Sequence, residues 1–367
     1  MMNLNEKILA RDTRRMARLE KKIKFYELEE KDQSNKINRL KNRINQLDER
    51  ATKRSSNIQS ETLLRINAVK EKLQNETSLT EIEKLQKELS VFEDKETAVN
   101  DEHHLISLSH VTMKFGGLRA VDDLSFSVKK GEIFGLIGPN GAGKTTVFNC
   151  MTQFYKSTEG NIYYTDKFGD VHNLNDFKVH QIIDLGIART FQNVELVWEL
   201  SILDNLLVGA HSLFTASFFD QLFHTPKLKK EERLLREKAL TILESLQLLA
   251  YKDLIPYGLP YGILKKIELA RVLMTNPRLI ILDEPAAGLN DQETMELAKT
   301  IKEIRQTYDV TIILVEHDMG LVMDICDRIC AMSFGQRLAV GTPKEIQSNE
   351  QVQTAYLGGE CRECTRN

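Results

Sequence analysis

The chain has 367 residues, 41% of them hydrophobic, and a net charge of −3. That length holds two or three domains and that composition supports a packed core. The near-neutral balance excludes a strongly basic chain built for nucleic acid, and no apolar run reaches the roughly 18 residues of a transmembrane helix. Met1 to Arg15 is charged and lacks the apolar stretch of a secretory signal. The five cysteines, Cys150, Cys326, Cys330, Cys361 and Cys364, are odd in number and irregularly spaced, as expected of reduced thiols. Cys361-x-x-Cys364 offers two ligands, too few to close a zinc site.

Residues 1–114 contain no glycine and no proline, whereas all 19 glycines and seven prolines follow Phe115. The first 103 residues therefore read as a helical extension, rich in Lys, Arg, Glu, Leu and Ile. A heptad places Met16, Ile23, Ile37, Ile44 and Ala51 at a and Leu19, Tyr26, Leu40 and Leu47 at d, with Glu30 and Gln33 interrupting the seam. Lys53 to Asn57 looks like a break, Glu61 to Gln74 a second helix, and Thr80-x-x-Glu83 a capping box before a third. The pattern predicts a helical hairpin or coiled coil. Residues 1–54 carry 16 Lys and Arg against nine Asp and Glu. That surplus suits anionic lipid headgroups or an acidic partner; a solvated coiled-coil face is the favoured reading.

From His104 the pattern changes. Leu105 to Val111 and Leu124 to Val128 alternate as strands. Ile133 to Ile137 is an apolar run of the kind that forms a buried parallel strand. It leads into Gly138-Pro139-Asn140-Gly141-Ala142-Gly143-Lys144-Thr145-Thr146, which fits G-x-x-x-x-G-K-[ST]. Thr146 to Met151 continues as a helix. Strand, glycine loop and helix is the context in which backbone N–H groups and a helix N-terminus cradle a polyphosphate. Lys144 then reaches the β- and γ-phosphates and the Thr145 hydroxyl holds Mg²⁺. A chance glycine turn does not account for the Lys-Thr pair, so the chain is expected to bind a nucleoside triphosphate. Asn161 to Tyr164 reads as a further strand, and about 193–266 as mainly helical. Beyond it, apolar strands alternate with helices, which is α/β layering around a parallel sheet.

Leu279 to Asp283 is an apolar strand that exits into Glu284. Asp283 suits Mg²⁺ or its water shell, and Glu284 suits orienting and deprotonating an attacking water. Ile312 to Glu316 is a second such strand, with His317 at its exit placed to meet a γ-phosphate. Gln192, in Arg189-Thr190-Phe191-Gln192-Asn193, can ligate Mg²⁺ and hydrogen-bond water. Phe115, before Gly116-Gly117, can stack on adenine, although a core Phe is the default.

Together these segments resemble the ATP-binding-cassette (ABC) ATPases over about residues 104–359. The resemblance implies an aromatic at Phe115, a Walker A loop at Gly138 to Thr146, a Q-loop at Gln192 and a signature at Leu259-Pro260-Tyr261-Gly262-Ile263. It further implies Walker B Asp283, catalytic Glu284, a D-loop around Gly288-Leu289-Asn290 and switch His317. Phe115-Gly116-Gly117-Leu118, Leu259-Pro260-Tyr261-Gly262, Asp283-Glu284-Pro285-Ala286-Ala287-Gly288, Glu316-His317-Asp318-Met319 and Ala355-Tyr356-Leu357-Gly358 narrow the likeness to the LivG-type ATPase of branched-chain amino-acid importers. Sister importers for urea or amides share much of this vocabulary.

The implied fold is a mainly parallel RecA-like core with an antiparallel β subdomain and an α-helical signature subdomain (about 193–266), followed by a short tail at 360–367. The signature departs from the general Leu-Ser-Gly-Gly-Gln. Pro260 and Tyr261 fit the subfamily, while Ile263 and Leu264 stand where it carries polar residues. Tyr261, Gly262 and a helix beginning near Ile263 are left to meet phosphate.

The resemblance implies a cytosolic-face, membrane-peripheral ATPase. Its implied partners are two permease subunits, a second ATPase subunit in a head-to-tail dimer, and an extracytoplasmic solute-binding protein. No nucleic-acid partner is expected. The segment from Gln192 to Asp220 would meet the permease. Two rivals remain: a soluble ABC ATPase outside transport, disfavoured because the helical extension precedes both the phosphate loop and the signature, and an ATP-binding scaffold, disfavoured by Glu284 and His317.

Overall fold

The computed structural model describes residues 104–167, 169–190, 192–211 and 226–360. The helical extension expected over 1–103 and, but for Glu360, the tail expected at 360–367 lie outside these residues. Two sheets organise the rest. The first is antiparallel. Strands β1 (His104–Phe115) and β2 (Leu118–Lys129) form a long hairpin, and β4 (Glu159–Thr165) and β5 (Val171–Asn173) extend it in the order β2-β1-β4-β5.

The second sheet is built on β3 (Ile133–Ile137), flanked by β8 (Thr311–Val315) and β9 (Arg328–Ser333). Beyond β8 lie β7 (Leu279–Asp283) and β6 (Ile187–Arg189), and β10 (Gln336–Gly341) closes the far edge antiparallel to β9. All other pairs in this sheet are parallel. The core is thus mainly parallel, as the sequence pattern indicated, with a separate antiparallel sheet, as the family resemblance implied. The short strand β6 and the β9–β10 hairpin were not among the expected elements.

Every residue of β3, β7 and β8 is buried, because both faces of the sheet are covered. Successive side chains point to opposite faces, and the packing follows that alternation. Ile133, Ile137, Ile280, Leu282, Ile312, Leu314, Ile329 and Ala331 join one apolar cluster with the helices. Phe134, Leu136, Leu279, Ile281, Ile313, Val315, Cys330 and Met332 join a second cluster with the antiparallel sheet. The second cluster is what fastens the two sheets together. Phe134 is its anchor: it stacks on Phe126 of β2 at 5.3 Å between ring centroids, with the Arg328 guanidinium 5.4 Å from its ring.

The helices begin with α1 (Lys144–Met151) and the single turn α2 (Val179–Ile182). A helical layer follows, made of α3 (Ile202–Gly209), α4 (Pro226–Ser245) and α5 (Tyr261–Leu273). Its interior includes Leu206, Ala239, Leu243 and Ala270, all in the first cluster. Leu264 is buried there too and Ile263 packs against it, which explains apolar residues where the subfamily carries polar ones. The remaining helices are α6 (Asp291–Tyr308), α7 (Met319–Ile325), α8 (Pro343–Gln347) and α9 (Glu350–Glu360).

Two local readings differ from the expectation. The signature helix starts at Tyr261 with Pro260 as its N-cap, two residues before Ile263. Proline fits there, since a helix start needs no backbone donor. The stretch from Gln192 to Leu200 is not helical. The fully buried Asn205 holds it in place: its amide nitrogen donates to the carbonyls of Val197, Leu200 and Ser201, and its oxygen accepts the Val197 N–H at 2.8 Å. These bonds satisfy backbone groups that a helix would otherwise have paired.

Phe134→Ala is expected to cost about 3–5 kcal/mol, the range for deleting a buried aromatic ring. Equilibrium denaturation checks it: the midpoint falls with the slope unchanged.

Candidate nucleotide site

Parallel register collects the expected site residues at one edge. Leu136 of β3 pairs with Val315 of β8, and Asp283 of β7 pairs with the same Val315. The phosphate loop, Glu284 and His317 therefore leave the sheet side by side, at the carboxyl ends of parallel strands where open α/β sheets bind ligands. Arg189, at the end of β6, pairs with Ile281 and arrives beside them.

The loop from Gly138 to Gly143 is shaped by close backbone contacts. A Cβ on Gly138 would sit 2.3 Å from the Met332 carbonyl oxygen, and one on Gly143 would sit 2.3 Å from that of Ala120. Gly143 is also left-handed, with φ 99°, and caps α1. The Gly335 N–H donates to the Ala142 carbonyl, which ties the loop to the β9–β10 turn. From α9, Tyr356 meets the Gly138 backbone; burial pushes its phenol up to about 12. Lys144 opens α1 and is buried. Its Nζ donates to the Gly138 carbonyl at 2.7 Å and the Pro139 carbonyl at 3.2 Å. Burial lowers the ammonium's pKa, and the carboxylates of Glu284 and Asp283 pull it back up. Thr145 is exposed on the first turn of α1. A glycine cradle, a retained ammonium and a helix N-terminus form a donor set that fits a polyphosphate, and Thr145 with Asp283 adds the oxygen ligands that Mg²⁺ prefers.

Glu284 is gripped at both oxygens. Gln192 Nε2 donates to Oε2 at 2.8 Å, and His317 Nε2 lies 3.1 Å from Oε1. Its backbone is left-handed, φ 48°, a conformation uncommon for a non-glycine residue. That backbone is held by the Glu284 N–H donating to Val315 and by its own carbonyl accepting from Ala287. The buried Glu316 braces the same corner. Its carboxylate accepts the Ala286 N–H at 2.6 Å and the His317 N–H at 3.0 Å. Burial raises the Glu316 pKa, and these backbone donors oppose the rise.

Asp283, which is buried, meets the part-buried Arg189 at 2.6 Å; Arg189 also donates to Asn149 of α1 at 2.7 Å and lies over the Phe148 ring. Arg189, Glu316 and Asn149 were not among the expected site residues. Arg189 and Glu316 do flank Gln192 and His317 in the sequence, but nothing in the sequence names their partners.

The remaining expected residues lie apart from this cluster. Phe115 is 42% exposed, with its ring edge-on to Tyr155 at 5.2 Å. Tyr261 and Gly262 open α5: the Tyr261 ring lies against Gly288 in the loop after Glu284, and Gly262 near the Glu293 carboxylate of α6. Asn290 caps α6, in a capping box with Glu293.

A phosphate loop, a carboxylate pair two strands away and a helix-borne signature define an ATPase cassette. The sequence profile described as ABC transporter matches residues 121–287, and that described as branched-chain amino acid ATP-binding cassette transporter matches residues 336–361. The chain is 44% identical over 254 residues to the high-affinity branched-chain amino acid transport ATP-binding protein LivG of Salmonella typhimurium, covering 69% of this chain and 98% of that one. It is 43% identical, with the same coverage, to BraF of Pseudomonas aeruginosa, which carries the same description. The ADP conformation of an ATP-binding cassette of an ABC transporter superposes with a TM-score of 0.60 at 32% identity, covering 70% of this chain and 99% of that one. The chain belongs to the ABC transporter ATP-binding family, in its LivG branch.

Arg189→Met would leave Asp283 buried without its cation. Removing one partner of a buried ion pair costs about 3–5 kcal/mol, so thermal denaturation should show a large drop in Tm, and Arg189→Lys should recover part of it.

Proposed function

We propose that this ATPase drives import of branched-chain amino acids through a membrane permease, working on the cytoplasmic face as one of two cassettes. The observation that carries the reading is the Glu284 carboxylate, held between Gln192 and His317 beside the phosphate loop. The match of residues 336–361 and the two described relatives support the solute class. Among the described residues no helix is long and apolar enough to cross a membrane, consistent with separate permease subunits. An extracytoplasmic binding protein delivers the solute.

The chemistry follows from the donors that line the site. ATP lies along Gly138 to Thr146, with loop N–H groups and Lys144 taking the β- and γ-phosphates. Lys144 exchanges its two carbonyl partners for phosphate oxygens, a stronger charge-assisted bond. Phe115 offers its exposed ring to adenine. Glu284 accepts the proton of the water that attacks the γ-phosphorus. Gln192 fixes one oxygen of that carboxylate, and His317 fixes the other and faces the transferred phosphoryl group. Thr145, Asp283 and the side-chain amide oxygen of Gln192 would hold Mg²⁺, which would supply charge neutralisation to the phosphates. Tyr261 and Gly262, with the N-terminus of α5, serve the nucleotide of the second cassette.

Lys144→Ala is expected to weaken ATP binding at least tenfold in a nucleotide titration; wild-type affinity would place the site elsewhere. In proteoliposomes holding the assembled complex, leucine, isoleucine or valine with the binding protein should stimulate ATP hydrolysis. Stimulation by urea or amides alone would reassign the solute.

Residues 104–359 span the resemblance, and 254 residues of this chain account for 98% of the LivG relative. A chain beginning at Asp101 should therefore keep wild-type ATP affinity, by the same titration. Loss of nucleotide binding would make residues 1–100 part of the cassette.

A further inference from the structure

The signature helix α5 carries two basic side chains that reach back to one loop. Lys265 is 3% exposed, and its Nζ donates to the backbone carbonyl of Gln192 at 2.7 Å. Arg271, on the same helix, donates through Nη1 to the backbone carbonyl of Glu195. The loop from Gln192 to Glu195 is thereby strapped to α5 at two points. The Lys265 ammonium also lies 5.6 Å from the Tyr261 ring centroid, one helical turn toward the signature, and 3.9 Å from the Glu268 carboxylate.

The position is costly. Burial lowers the lysine's pKa, and the carboxylates of Glu268, Glu316, Asp283 and Glu284 act against that shift. A buried cation is retained where a fixed partner compensates its desolvation, and here the shortest contact is the carbonyl of the residue whose side chain grips Glu284.

We propose that Lys265 is a positioning residue for ATP hydrolysis: it couples α5 to Gln192, so that movement of the signature helix carries the Gln192 amide onto or off the Glu284 carboxylate. The connection runs from Tyr261 through Lys265 to the Gln192 carbonyl, and from the Gln192 side chain to Glu284 Oε2 at 2.8 Å. An anchor on the main chain suits such coupling, because it fixes the loop while leaving the amide side chain free to change partners. Arg271 secures the far end of the loop, so the segment moves as a unit and does not pivot on one bond. The proposal rests on the roles proposed for Glu284 and Gln192 in hydrolysis.

The test compares Lys265→Met, Lys265→Arg, Gln192→Ala and the Lys265→Met/Gln192→Ala pair in the assembled complex. Lys265→Met should lower kcat at least tenfold with KM for ATP changed less than about twofold. Lys265→Arg, which keeps a cationic donor, should recover most of the loss. Gln192→Ala should slow hydrolysis on its own, and adding Lys265→Met to it should cost less than a further twofold. A folded Lys265→Met with wild-type kcat, or a full further loss in the Gln192→Ala background, overturns the coupling while leaving the ATPase reading intact. Normal turnover in Gln192→Ala overturns the coupling together with the role proposed for Gln192, and leaves the ATPase reading intact.

The unmodified protein gives a second readout that does not depend on any variant folding. On ATP addition, hydrogen exchange in peptides covering 192–196 and 261–268 should change together. A change confined to one of them contradicts the coupling.

Discussion

The parallel pairing of β3, β8 and β7 is the constraint on which the site depends. The three buried strands run parallel, and their shared direction sends three exits to one edge. A phosphate loop, a carboxylate and a histidine that lie far apart in sequence become neighbours without any long-range polar contact having to recruit them. Hydrophobic burial on the two faces supplies the driving force, and the register then fixes the chemistry.

The exits are unequal in how they are held. Asp283 lies inside, paired with Arg189, while Glu284 turns outward through a left-handed backbone and is held from two other segments. Adjacent residues at one strand's exit thereby acquire separate environments, one suited to a structural and metal-facing role and one to proton transfer. Glu316 repeats the theme: it carries no chemistry of its own here, and holds the Ala286 and His317 backbones so that the outward pair keeps its spacing. Gln192 belongs to a loop governed by the helical layer, so one of the two grips on Glu284 is tied to a different part of the molecule from the other.

Much of this was legible in the sequence, for physical reasons that differ by element. The strands β3, β7 and β8 were visible because full burial demands unbroken apolar runs, and the phosphate loop because its backbone tolerates only glycine at Gly138 and Gly143. The strand β6 is three residues long and carries no periodicity. The segment from about Asn193 reads as mainly helical, yet its first residues, to Leu200, are not; the Asn205 side chain decides this, a tertiary effect that no local pattern encodes. Arg189 and Lys265 are basic residues, and nothing in their sequence neighbourhood names the partners that the fold gives them. Leu264 shows the reverse case: a departure from the signature's expected polarity becomes ordinary once its side chain is seen in the core.

The central claim is that Glu284 accepts the proton of the attacking water. It is tested most directly by Glu284→Gln in the assembled complex, measuring ATP binding and single-turnover hydrolysis on the same preparation. The account predicts near-normal ATP affinity, accumulation of an ATP-bound closed dimer, and hydrolysis reduced at least a hundredfold, in line with the 10²–10⁴-fold range, roughly, of general base catalysis. Hydrolysis at the wild-type rate would contradict it.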